Sequence, residues 1–298
     1  MKKKILIGIG IFILILFFGG LYLYFNLDFW LKDPLKFPKN DKYTIEAISF
    51  KNHKDKNIYG VAYIPKREKE TKFPLVILSH GYSSSHLFMT GYGTRLAENG
   101  IACYNFDFSG GSNLSKSEGK TTEMSVLTEK EDLKAALSNS KSWSFVDTTN
   151  IFLCGESQGG FVTALAGVEV ADRIRGMILL YPAFHMPEAM RKSYPIKDSI
   201  KDVMDFPNNM KIGRIYVEDL YDMDAYETTK NFKKEVLIIH GDKDKAVPIT
   251  YAERAVKEYP SADLKVIKGA GHVFFWKRQV DEAVRDIIEF INKNSTKN

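Results

Sequence analysis

The chain has 298 residues, 44% of them hydrophobic, which is enough to bury a full-sized core in one large domain or two small ones. Its formal net charge of +5, with lysines dispersed among Asp and Glu, describes a solvated surface rather than a basic footprint, so nucleic acid is excluded as an expected partner. No internal repeat or long low-complexity tract divides it.

The N-terminus differs from everything after it. Lys2, Lys3 and Lys4 precede an uncharged run from Ile5 to Phe25. At a rise of about 1.5 Å, roughly 21 residues reach across a hydrocarbon core of about 30 Å. Tyr22, Tyr24 and Trp30 suit an aromatic belt at the far interface, and the lysines favour an N-terminus inside. The run is longer than a signal-peptide core, and no clear small-x-small site lies around Phe17-Phe18-Gly19-Gly20-Leu21. Residues 1–26 are therefore expected to be an uncleaved transmembrane signal anchor, with a cleaved signal as the alternative. Either way, the globular part is expected outside the cytoplasm, and with the uncleaved anchor it is expected at the cell membrane. Residues 27–42, with Pro34 and Pro38, read as a linker, and 43–298 as the globular domain.

Thr44 to Lys51 and Asn57 to Ile64 alternate in the strand manner around a polar turn, which predicts an antiparallel hairpin. Then the pattern changes. Leu75 to Ser79, Ile101 to Phe106, Ile151 to Cys154, Gly176 to Leu180, Glu235 to Ile239 and Leu264 to Ile267 are short continuous apolar runs, as strands buried on both faces require. Helix-like segments separate most of them: His86 to Asn99, Thr122 to Ser142, Gln158 to Val170, Tyr251 to Glu258 and Phe275 to Asn292. This alternation predicts an α/β domain with a mostly parallel sheet and helices on both faces. Cys103 and Cys154 fall on strands with another strand between them, so two buried free thiols are expected.

One interval breaks the rhythm. More than fifty residues separate Leu180 from Glu235, and they include Phe184, Met186, Met190, Tyr194, Phe206, Tyr216 and Tyr221. So apolar an insertion needs something to pack on, and the carboxyl edge of the sheet is where ligands bind in such folds. It reads as a cap, from about Ala183 to Lys230.

Gly155-Glu156-Ser157-Gln158-Gly159 runs from a buried strand into an apolar helix, the setting of a nucleophile elbow. A serine hydroxyl needs a base, and the base needs an acid that holds one tautomer. Of six histidines, His272 lies in a flexible turn straight after the last strand, Lys268-Gly269-Ala270-Gly271-His272, and is the candidate base. In His240-Gly241-Asp242-Lys243-Asp244, Asp244 is the candidate acid and Asp242 the turn former. The oxyanion hole is expected from the backbone N–H of Gln158 and that of Tyr82, in the turn His80-Gly81-Tyr82-Ser83. No zinc-type ligand cluster appears, so no metal or organic cofactor is expected.

With these residues the chain resembles the α/β-hydrolase carboxylesterases, and within them the cinnamoyl (feruloyl) esterase-like group, from about Tyr43 to Asn292. The resemblance extends to Asn105-Phe106-Asp107-Phe108-Ser109-Gly110-Gly111-Ser112, Thr122-Glu123-Met124-Ser125-Val126, Tyr251-Ala252-Glu253-Arg254 and, in the cap, Gly213-Arg214-Ile215-Tyr216-Val217. It implies an α/β-hydrolase fold with an eight-stranded sheet, the chain order Ser157, Asp244, His272, and a small-molecule ester as substrate. It also implies that Tyr216 touches the acyl or phenolic part, and that Glu188 matches an acidic cap residue that binds a phenolic hydroxyl. Where the family more commonly carries histidine before the nucleophile, Glu156 stands here.

The expected function is hydrolysis of short acyl or hydroxycinnamoyl esters through an acyl-enzyme. The same fold leaves open a serine peptidase of prolyl-oligopeptidase type, or a lipase or acyltransferase acting near the membrane. A non-catalytic binding protein is disfavoured by the presence of all three triad members. Oligomeric state is left open.

Overall fold

The computed structural model describes residues 33–37, 39–67, 71–227 and 229–296. The segment expected to cross the membrane, residues 1–26, lies outside the described residues. Among the described residues no helix is long and apolar enough to cross a membrane.

The opening hairpin forms as expected, with β1 (Tyr43–Lys51) and β2 (Asn57–Pro65) antiparallel in the register Tyr43↔Pro65 to Lys51↔Asn57. Its turn is held by Asn52, whose side-chain oxygen accepts from the N–H groups of Lys54 (2.9 Å) and Lys56 (3.0 Å). Such Asx contacts are why asparagine serves turns. Six more strands complete the sheet: β3 (Phe73–Ser79), β4 (Ala102–Phe106), β5 (Val146–Glu156), β6 (Gly176–Leu180), β9 (Glu235–Gly241) and β10 (Ala262–Ile267). The spatial order is β1-β2-β4-β3-β5-β6-β9-β10. From β4 onward every neighbouring pair is parallel.

The continuous apolar runs are explained by the two cores they feed. In β3, Leu75 and Ile77 point into one core and Val76 and Leu78 into the other. Successive side chains in a strand face opposite ways, so a strand covered on both sides has no polar face to show. The first core is closed by α2 (Val126–Ser140), α3 (Ser157–Glu169) and α6 (Thr250–Glu258). The second is closed by α1 (Thr90–Glu98) and α7 (Lys277–Asn294). On α7, Val280, Val284, Ile287 and Ile291 fall at helical spacing and are buried. Each such side chain contributes about 1.5–3 kcal/mol by leaving water. Cys103 on β4 and Cys154 on β5, with β3 between them, are buried and free.

Helix starts differ from the sequence expectation. The segment expected to be helical from His86 opens as a 3-10 turn, His86–Met89, before α1, and that expected from Thr122 opens as Thr121–Glu123. In the second case Ser125 is the true cap: its Oγ accepts from Thr128 N–H (3.2 Å), while Thr128 Oγ1 accepts from Ser125 N–H (2.9 Å). The cap insertion holds α4 (Met186–Ser193), a small hairpin of β7 (Val203–Phe206) and β8 (Met210–Gly213), and α5 (Arg214–Tyr221). The hairpin is an addition to the sequence reading. Its turn uses Asn208 and Asn209 in the left-handed region, with φ of 62° and 55°. Asparagine tolerates that region better than most residues.

Candidate active site

Four carboxyl ends of parallel strands supply the site. After β5 the chain turns straight into α3, and Ser157 sits at the junction with φ of 51°. A side chain on Gly155 would lie 2.2 Å from the Gly159 carbonyl, and one on Gly159 would lie 2.3 Å from the His80 carbonyl. Real Cβ atoms do not come that close, so the two glycines are what let the strained serine turn fit against the neighbouring strand end.

Ser157 Oγ lies 2.8 Å from His272 Nε2, and His272 Nδ1 lies 2.8 Å from Asp244 Oδ2. The three residues expected from separate turns are thus brought into one hydrogen-bonded chain. Asp244 is tied down further: Oδ1 accepts from the N–H groups of Ala246 (2.9 Å) and Val247 (2.8 Å), and Oδ2 is 3.1 Å from His240 Nε2. Burial alone would raise its carboxyl, but hydrogen bonds from His240 and His272, the charge of His272 and the Val247 amide hold it well below the usual carboxylate range. It is held as a carboxylate, the form that keeps an imidazole N–H pointed at it.

The turns carrying acid and base are laced together. Asp242 Oδ1 accepts from Gly269 N–H (2.6 Å), and Lys243 N–H donates to the Ala270 carbonyl (2.9 Å). Asp242 therefore forms a turn contact, as expected, and the turn it secures is the one that presents His272.

The turn after β3 packs against the elbow. Phe108 N–H donates to His80 Nε2 (3.2 Å), which places the ring proton on Nδ1, where it donates to the Gly81 carbonyl (2.8 Å). Burial pushes the His80 imidazole down, so it stays neutral in this role. Gly81 N–H donates to Glu156 Oε1 (3.3 Å), and Tyr181 OH donates to Glu156 Oε2 (2.7 Å). Glu156 is thus a buried brace behind the elbow; burial is the main cause that pushes its carboxyl up. The Tyr181 ring meets the His272 ring edge-on at 5.1 Å. The Tyr82 amide makes no hydrogen bond among the described residues, and the Gln158 amide lies in the first turn of α3, where N–H groups have no partner within the helix.

The cap residues are placed differently from one another. The ring of Tyr216 on α5 stands 6.2 Å from Tyr82 and 5.7 Å from Phe206, an aromatic cluster against the turn after β3. Its hydroxyl is already engaged, donating to Gln158 Oε1 at 2.6 Å. Glu188 on α4 lines a neighbouring cleft of about 310 Å³ with Arg191, Tyr226, Tyr251 and Arg254. There its Oε2 accepts from Tyr251 OH (2.7 Å), and no hydrogen bond joins it to Ser157, His272 or Asp244 among the described residues.

Sequence reasoning missed Glu129, whose Oε2 accepts from Gln158 Nε2 at 2.7 Å. Burial pushes its carboxyl up to about 8. A signal was available, since Glu129 lies three residues after Val126 and four before Leu133, on the apolar face of α2. Among the described residues no cluster of three or more His, Cys, Asp or Glu could hold a metal ion.

Comparison with known proteins places this geometry. Est1E from Butyrivibrio proteoclasticus, in a structure with ferulic acid bound, superposes with a TM-score of 0.74 at 26% identity, over 83% of this chain and 99% of that one. The non-heme chloroperoxidase CPO-A1 of Kitasatospora aureofaciens is 36% identical over 72 residues, 24% of this chain. The quorum-quenching protein AidA of Acinetobacter baumannii is 27% identical over 101 residues, 33% of this chain. The matched stretches span only 26% and 32% of these two curated relatives. The model of the prolyl oligopeptidase family matches residues 91–298, the part that carries the elbow, the cap and the acid and base turns. Well over half of the chain is covered by that match, so the chain belongs to the prolyl oligopeptidase family and has the α/β-hydrolase fold.

Proposed function

We propose that the chain is a serine carboxylester hydrolase working through Ser157, His272 and Asp244. The observation that carries the reading is the unbroken hydrogen-bonded line from Ser157 Oγ through His272 to Asp244. His272 Nε2 takes the hydroxyl proton as Ser157 Oγ bonds to the ester carbonyl carbon, and Asp244 stabilises the imidazolium that results. The N–H groups of Tyr82 and Gln158 receive the carbonyl oxygen as it becomes negative. His272 returns the proton to the departing alcohol, and a water activated by the same imidazole then releases the acid from Ser157. The chain Ser157→Ala is expected to lose hydrolysis of short p-nitrophenyl esters by about 10⁴-fold or more. Retained hydrolysis would sink the assignment.

Aromatic acyl groups, hydroxycinnamoyl among them, are the proposed preference over acetyl. What supports this is the Tyr82, Phe206 and Tyr216 cluster beside the nucleophile, together with the likeness to Est1E. A panel crossing acyl chain length with aromatic acyl esters tests it; a preference for acetyl over feruloyl esters would overturn it. The domain is proposed to work outside the cytoplasm, held by residues 1–26, on the strength of the apolar run Ile5 to Phe25.

The family match favours a second reading, cleavage of peptide bonds. Both readings need the same triad, so proline-containing amide substrates run beside the esters distinguish them. Turnover of amides at rates comparable to esters would favour the peptidase.

A further inference from the structure

Glu129 takes no part in the chemistry above, and its burial asks for a role. It lies in the first turn of α2 at 1% exposure, with no cation paired to it among the described residues. Its partner is the Gln158 carboxamide, whose nitrogen donates to Glu129 Oε2 and whose oxygen accepts from Tyr216 OH. Gln158 is itself buried, so neither end of the carboxamide has water as an alternative partner. One side chain is thus gripped from below by a helix of the core and from above by a helix of the cap. It belongs to the residue whose backbone N–H follows the nucleophile.

Further contacts join the same segments. Ser125 Oγ, at the start of α2, donates to Asp219 Oδ2 on α5 at 2.5 Å, and Thr121 Oγ1 donates to the Lys211 carbonyl of β8. A side chain at Gly213 would lie 2.0 Å from the Thr122 carbonyl, so the cap backbone rests directly on this segment. The cap is fastened to the start of α2 at its edge by these contacts and at its centre by Glu129.

We infer that Glu129 is a positioning residue of the ester site: through the Gln158 carboxamide it fixes, as one unit, the oxyanion amide of Gln158 and the aromatic wall that Tyr216 presents to the acyl group. This rests on the esterase reading above. A residue that acted only on stability would change the amount of folded protein and leave acyl selectivity alone. Glu129 is expected to change selectivity, because the Tyr216 ring loses its anchor when the carboxamide is released.

Glu129→Leu removes the acceptor, Glu129→Gln keeps one, and Tyr216→Phe releases the other end of the carboxamide. In Glu129→Leu, kcat should fall about tenfold for the acetyl ester, which depends on the oxyanion amide alone, and about tenfold further for an aromatic acyl ester, which also loses the Tyr216 wall. Glu129→Gln should stay within about threefold of the parent on both substrates. Tyr216→Phe should shift acyl preference in the same direction as Glu129→Leu, and the double variant should be no worse than the worse single one, since both cut the same chain. A folded Glu129→Leu protein with parental kcat and acyl preference overturns the inference, as do losses that simply add. If Glu129→Leu does not fold, Glu129→Gln and Tyr216→Phe carry the test, and an unchanged acyl preference in Tyr216→Phe overturns it. Thermal melting of Glu129→Leu, Tyr216→Phe and their combination gives a readout that needs no substrate, since each single variant cuts the chain at one end. If the parent hydrolyses no ester, the esterase reading fails, while non-additive melting shifts still support the Glu129–Gln158–Tyr216 coupling and additive shifts refute it.

Discussion

Both oxygens of Glu156 are occupied, one by the Gly81 amide and one by the Tyr181 hydroxyl, so the side chain beside the nucleophile braces rather than binds. Glu156→Ala would leave two buried donors unsatisfied, at about 1–3 kcal/mol each. It should lower kcat by roughly 10- to 100-fold with KM little changed, because the brace acts on the oxyanion turn and not on substrate contacts. Steady-state kinetics separate the two, and a rise in KM at constant kcat would contradict this role. Glu129 makes a prediction about pH. Its carboxyl moves from 4.5 to about 8 on burial, so the folded state favours the neutral acid. Below pH 4.5 both folded and unfolded chains are protonated there and nothing is lost. As pH rises toward 8 the unfolded chain ionises first and stability falls, by roughly 5 kcal/mol as an upper bound. Glu129→Gln cannot ionise, so its stability relative to the parent should grow between pH 5 and pH 9 in urea unfolding; a flat difference would refute the assignment. Ser157, Asp244 and His272 were legible in the sequence because each follows a recognisable strand. Tyr181 was not, and Glu129 showed only as an acid on an apolar helix face, since no motif marks the partner of either.

Elements were legible where burial was two-sided. Strands such as Gly176–Leu180 match their apolar run to the residue, because a strand covered on both faces has little room for polar side chains. The hairpin of β7 and β8 was hidden because strands of four residues carry too little alternation. Pro207-Asn208-Asn209 was the usable sign of its turn. On the proposed ester reading that hairpin bears on specificity, since Phe206 stands at its tip within the aromatic cluster. Phe206→Ala should lower kcat/KM for aromatic acyl esters about tenfold and leave acetyl esters within about twofold, given what an aromatic contact contributes. Equal losses on both would show that the hairpin shapes the entrance rather than the acyl pocket. At the elbow the margin is smaller. Gly155→Ala places a Cβ against the Gly159 carbonyl, and it should cut the yield of folded protein sharply, as measured by melting temperature and soluble expression.

For the whole molecule, the sheet separates two cores that meet different helices, and the active site is built along one edge of the sheet, above both. The architecture followed from counting alternating strands and helices. The depth at which the cap is fastened did not, because it depends on single contacts between segments about ninety residues apart, such as Ser125 with Asp219. Attachment to a membrane is a whole-molecule property too. The full chain is expected in the membrane fraction and resistant to carbonate extraction, and a chain starting near Lys39 in the soluble fraction; recovery of the full chain as soluble protein would remove the anchor from the proposal. The laced turns that hold Asp244 and His272 also set an order of events during synthesis. Ser157 and His272, the proposed nucleophile and base, stand 115 residues apart, and His272 arrives after β10, just ahead of the final helix. A growing chain therefore carries Ser157, the turn after β3 and the cap long before it carries His272. If Ser157 and His272 act as proposed, a chain that stops short of the segment after β10 lacks its base and cannot attack an ester.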